Sequence, residues 1–328
     1  MSLKKVYLIS SVIYIAVMAA MWDIWWHQAI GPDFFWLPPH ILLYISVAVA
    51  IVVAISAWRE NRNQLLRNLI LTLSAIPILK FVDNIWHGVF GIENPESPLP
   101  IIFWSPPHLA MAAAFILSAR AVLPIIQSEK NPATKQLFSG LMLGAIITGF
   151  MFAVTPLQPF GPYHDFSYAY FGPWSAGIIA AVFIGCLFFS ERFMPGIGKA
   201  TMATIFFLIL MSVVGMGQAW GGGLILNAHQ ATPGWIITFA YLGAAVVFDI
   251  MRKANTLLRG AVTGAVWGGL FLIPAALVYK NIFAENFNYD FFAAVAIPIF
   301  AAILGGTAIS AVSLIKSTAV KAQPKHGL

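Results

Sequence analysis

Charged residues are scarce. Asp, Glu, Lys and Arg make up 9% of the 328 residues, where a soluble domain carries about a quarter. A water-facing shell around an ordinary globular core is therefore excluded. Cysteine is scarcer still: Cys186 stands alone, inside an apolar run. One cysteine excludes an intramolecular disulfide, a multi-cysteine zinc site and a cysteine-ligated cluster. The 11 methionines are dispersed, which leaves no soft thioether conduit of the kind that favours Cu(I). The net charge of +6 comes from loops between apolar runs and gives no nucleic-acid signal.

What the chain has in abundance is hydrocarbon. Hydrophobic residues are 60% of the total and the mean hydropathy is +0.84. The apolar runs are about as long as a bilayer requires of a helix. The pattern predicts an all-α, polytopic membrane helix bundle of about ten spans, near residues 6–30, 38–58, 66–91, 106–127, 136–156, 170–191, 200–226, 232–252, 258–280 and 289–316. The first is expected to be a retained helix, because no small-residue cleavage site follows it. Alternate loops differ in charge. One set holds Lys4, Lys5, Arg59, Arg62, Arg67, Arg120, Lys130, Lys135, Arg192, Lys199, Arg252, Lys253, Arg259, Lys316, Lys321 and Lys325; the other holds Lys280 among Asp33, Glu93, Glu96, Asp165, Glu285 and Asp290. The positive-inside rule then places both termini in the cytoplasm. Asp249, close before Arg252 and Lys253, is expected to form a helix-end ion pair.

Six of the seven histidines (His27, His40, His87, His108, His164 and His229) fall at the opposite, non-cytoplasmic ends. Four of them belong to a repeated motif. Residues 22–40 read WDIWWHQAIGPDFFWLPPH, and residues 82–108 read VDNIWHGVFGIENPESPLPIIFWSPPH. Both run Asp-x-x-Trp-His, then Gly, then Phe-Trp-x-Pro-Pro-His. Asp and His at i and i+4 share a helix face. The Pro-Pro pair starts the next helix, where proline is tolerated. Each copy thus brings a carboxylate and an imidazole toward a second imidazole: Asp23, His27 and His40 in one, Asp83, His87 and His108 in the other. Two imidazoles and a carboxylate are a metal-ligand set.

A buried Asp costs roughly 2.5–3.5 kcal/mol at the centre of a membrane helix, and a divalent cation would offset it. So would an Asp–His hydrogen bond that only holds a hairpin together. The nitrogen and oxygen donors suit copper, zinc or iron. A haem b clamped by paired histidines is a further alternative, but the non-cytoplasmic loops offer almost no cation for its propionates. Lys80, one turn before Asp83, is expected to pair with it or to make the two sites unequal. His164, Asp165 and His229 read as solvated loop residues or as a third site. Weaker echoes of the motif, at Phe171–Trp174, Gly217–Gly222, Thr232–Trp235 and Val266–Gly269, suggest five hairpins on one plan. In that plan 1–130 carries the two motif hairpins, 131–318 degenerate ones, and 319–328 a cytoplasmic tail, all within one membrane domain.

The spacing Asp-x3-His-x12-His at Asp23, His27 and His40 resembles the metal motif of the C subunit of membrane-bound copper monooxygenases, the methane and ammonia monooxygenase group. Asp83, His87 and His108 take the place of that family's second motif, with Asp83 where those subunits carry Asn and a longer gap before the last histidine. The resemblance covers about residues 20–110. It implies copper near the periplasmic face, oxidation of a small-molecule substrate by O2, and partner subunits or a homo-oligomer. Asp23, His27 and His40 would hold one ion and Asp83, His87 and His108 another, in a pocket walled by Trp22, Trp26, Trp86 and Trp104. The wider wording also resembles a set of bacterial multi-helix membrane proteins. Rival expectations are a divalent-metal binding or transport protein without redox chemistry, and a structural or haem-anchoring subunit of a respiratory membrane complex.

Overall fold

The computed structural model describes residues 3–29, 36–90, 105–154, 173–216, 234–282 and 291–321. These residues form ten α-helices: α1 (Leu3–Ala29), α2 (Pro38–Glu60), α3 (Gln64–Phe90), α4 (Pro106–Ile126), α5 (Pro132–Ala153), α6 (Pro173–Ser190), α7 (Lys199–Met216), α8 (Gly234–Ile250), α9 (Thr256–Ile282) and α10 (Phe291–Lys321). Each expected span corresponds to one helix. The first five are long and apolar enough to cross a bilayer, and shorter apolar helices follow at 176–190, 199–213 and 295–311. The protein is an all-α integral membrane protein in contact with lipid.

The helix starts follow from local chemistry. Prolines occupy the first turns of α2, α4 and α5, where the missing N–H removes a group that has no helical partner anyway. Ser105 caps α4 by accepting from the His108 amide, and Asn131 caps α5 by accepting from Ala133 and Thr134. Gly196 and Gly198, at φ of 80° and 72°, turn the chain into α7 through backbone conformations that side chains disfavour.

α3 shows how sequence sets position. Its buried residues are Leu66, Leu69, Leu73, Ile76, Lys80, Asp83 and His87, spaced alternately three and four apart. That is a single helix seam. Leu71, Ile78, Phe81, Ile85 and Val89 on other faces are apolar and exposed, which suits hydrocarbon and not water. Three polar residues thus continue an apolar seam into the protein.

α1 sits among α2, α4, α5 and α7. The Tyr14 hydroxyl donates to the Phe206 carbonyl at 2.7 Å and ties α1 to α7. α1 packs with α2 and α3 with α4, as the two motif hairpins require. α5, by contrast, packs chiefly on α4 and α7, and α6 on α10. A Cβ on Gly144 would lie 2.7 Å from Phe206 Cβ, and one on Gly264 would lie 2.1 Å from the Ala301 carbonyl oxygen. Those contacts, α5 on α7 and α9 on α10, need glycine.

Opposite the motif end, Lys5 pairs with Glu60, and Arg259 pairs with Glu191 at 2.6 Å while donating to the Phe248 carbonyl. Asp249 does not play the part expected from its basic neighbours. It caps α7 instead, accepting from the Ala200 and Thr201 amides at 3.2 and 2.8 Å and from the Thr201 hydroxyl at 2.7 Å. Three donors at a helix N-terminus are a better partner for a carboxylate than solvated side chains.

Candidate metal centre

The site sits where α1 ends, α2 begins, α3 ends and α4 begins. His40 and His108 occupy the same place in their helices, directly after a Pro-Pro pair. Asp83 and His87 lie one turn apart on α3, with Lys80 one turn earlier. The equivalence of the two motif copies is therefore real at the level of backbone position.

Asp83 is fully buried, and Lys80, His87 and His40 are buried with it. Asp83 Oδ1 lies 3.3 Å from His87 Nε2 and 3.1 Å from His108 Nδ1. Its other oxygen accepts from Lys80 Nζ at 3.1 Å, as the i,i+3 spacing predicts. The His87 and His108 ring centroids are 5.5 Å apart. One donor atom from each of Asp83, His87 and His108 can be chosen so that all three lie within 4.8 Å of one another. A small inward movement would bring them to the roughly 2.0–2.2 Å bonds of a tetrahedral ion. His87 Nδ1 is buried with no hydrogen-bond partner among the described residues. Such an orphaned atom calls for an ion, a water or a cost of about 1–3 kcal/mol.

The first motif copy is arranged differently. Asp23 Oδ1 lies 2.7 Å from His40 Nε2, and Asp23 Oδ2 lies 4.0 Å from Lys80 Nζ. Lys80 thus stands between the two carboxylates and joins the copies into one cluster. The His27 side chain, with His164, Asp165, His229, Phe35, Phe103, Trp104 and the echoes at 217–222 and 232–233, lies outside the described residues; of the other echoes, Trp267 is buried against Tyr241 and Trp174 packs on Phe300. Two carboxylates and one ammonium leave the cluster one net negative charge when its imidazoles are neutral. A buried net charge is expensive, and a bound cation supplies the missing sign.

Ser105 was not singled out by the motif comparison. Its hydroxyl lies 2.7 Å from His108 Nδ1 and accepts from the His108 amide. The signal was present, because a serine immediately before a Pro-Pro pair is a natural cap. Ser105→Ala is expected to cost about 1 kcal/mol of stability and to free the His108 ring. Thermal unfolding with and without zinc measures both: the loss should be larger in the zinc-loaded protein.

The expected aromatic walls also differ. Trp22 and Trp26 contact one another, with ring centroids 6.4 Å apart, and Trp86 packs on Phe90. None of them lines the cavity beside the cluster, which is built mainly of Ala, Met and Phe. Comparisons with known proteins return no matching family model, curated protein or solved structure.

Proposed function

We propose that the chain is a membrane metalloprotein holding one divalent transition-metal ion between Asp83, His87 and His108, at the bilayer face away from the basic loops, with both termini cytoplasmic. The observation that carries this reading is a buried carboxylate flanked by two imidazoles, in a cluster that has one net negative charge when its imidazoles are neutral. Lys80 pairs with Asp83 at 3.1 Å and stands 4.0 Å from Asp23, so the two copies share one ammonium and are unequal. Copper is preferred over zinc and iron. It binds nitrogen and oxygen sites most tightly in the divalent series, and the motif at Asp23, His27 and His40 resembles that of the copper monooxygenase subunits.

When bound, copper would supply one-electron chemistry toward O2, as an oxygenase or a subunit of one acting on a small substrate. The chain's own residues hold Asp83 between two imidazoles, keep Lys80 against it and surround the cluster with hydrocarbon. A carboxylate oxygen lies between His87 and His108, where a haem clamped by these two rings would have to pass, so haem b is not favoured. Metal transport without redox chemistry is disfavoured too. Among the described residues, the buried hydroxyls of Ser10, Thr148 and Ser190 each bond a carbonyl of their own helix, which builds no polar path toward the opposite face.

Electron paramagnetic resonance tests the reading. Copper-loaded protein is expected to show coupling to two imidazole nitrogens, falling to one in His108→Ala, together with reductant-dependent O2 uptake. A spectrum without nitrogen coupling would defeat the copper site. The two-nitrogen spectrum with no O2 uptake in the presence of any partner subunits would remove the oxygenase and leave the binding protein.

A further inference from the structure

A partly open cavity of about 70 Å³ runs from the cluster into the helix bundle. Asp23, Lys80 and His108 lie at its polar end. Its other walls include Val17 and Met21 of α1, Phe115 of α4, and Ala145 and Phe152 of α5. Phe115 is seven residues after His108 and Val17 six before Asp23. At 1.5 Å per residue the space therefore extends about 9–10 Å from the polar groups along these helices. Thr148 also borders it, but the Thr148 hydroxyl is engaged with the Gly144 carbonyl at 2.8 Å. Hydrogen-bonding capacity is thus concentrated at one end and hydrocarbon lines the rest.

We infer that this cavity is a binding site for a small neutral molecule with an apolar body and one hydrogen-bonding atom, which meets the Asp23–Lys80–His108 end. The chemistry follows from the walls. A buried water needs two to four polar partners, and the carbon-lined part offers only Thr148, whose proton is already given to Gly144. An apolar cavity of about 150 Å³ stays dry and takes benzene or xenon. About half that volume suits roughly three or four non-hydrogen atoms. The inference deepens the metal reading by giving the site a ligand class, and rests on it only through His108, which belongs to both.

Crystals of the full chain, soaked with zinc and pressurised with xenon, test the inference. Xenon is expected beside Phe115, Ala145 and Phe152, and co-soaking with 1-propanol is expected to displace it. Leucine at position 145 adds three carbons to this small space, so Ala145→Leu should abolish the xenon peak. Ala112→Leu, on another wall, serves as a second filled variant. Both should keep the zinc content of the unmodified chain. No xenon in the unmodified protein, xenon that 1-propanol leaves in place, xenon retained in both filled variants, or density for water or a lipid chain filling the space would overturn the inference. Xenon binding in crystals that take up no zinc would instead uphold the cavity and sink the metal reading.

Discussion

Asp83→Asn is expected to abolish metal binding and to destabilise the protein by about 3–5 kcal/mol, the order found when one partner of a buried ion pair is removed. Asp83 is fully buried and touches Lys80, His87 and His108. The amide keeps the size of the carboxylate and loses its charge. Lys80 then loses its partner at 3.1 Å and keeps Asp23 at 4.0 Å. The two effects are separable. In Asp83→Asn/Lys80→Met the stranded ammonium is gone, so most of the stability should return while the metal site stays lost. Chemical unfolding in mild detergent and zinc titration of the three proteins measure the cycle. A single variant as stable as the unmodified chain would show that Lys80 and Asp83 do not rely on one another.

Lys80→Met alone is expected to act in the opposite direction on the metal. An ammonium next to a ligand carboxylate repels an incoming divalent ion and competes for its oxygen. Two unit charges at about 4 Å interact by about 4 kcal/mol at an effective dielectric of 20. Even a third of that is a tenfold change in affinity. Removing Lys80 also leaves the partly buried Asp23 and the buried Asp83 with no ammonium between them. The metal-free variant should therefore be less stable than the unmodified protein, and added zinc should raise its unfolding temperature by more. Zinc affinity that falls, or stays unchanged, in a folded Lys80→Met protein would show that Lys80 does not oppose the cation.

Much of this arrangement was legible because it is local. Apolar runs of bilayer length marked the helices. Prolines and caps marked several helix starts. The i,i+3 and i,i+4 spacings of Lys80, Asp83 and His87 put them on one buried seam. What escaped the sequence depends on contacts between distant segments. Nothing in the spacing of either motif says that Asp23 faces Lys80 across 57 positions, so two independent sites were the natural expectation and one joined cluster is found. Asp249 was misread for the same reason: its partners are backbone amides 48 and 49 positions away, which outcompete the basic residues beside it. The cavity walls were hidden differently. Alanine, methionine and phenylalanine occur throughout a membrane helix, and only packing reveals which of them leave space. Trp22, Trp26 and Trp86 stood out as obvious walls and do not line it.

Metal content per chain is the most direct measurement. Protein purified from copper- and zinc-replete cells, stripped and reloaded, should hold one divalent ion per chain by elemental analysis. It should hold none in His87→Ala or Asp83→Asn/Lys80→Met, and one still in His40→Ala. No bound ion in the folded, reloaded protein, or an ion that survives His87→Ala, would contradict the site at Asp83, His87 and His108. Two ions per chain would contradict the view that the two copies form one cluster with a single cation.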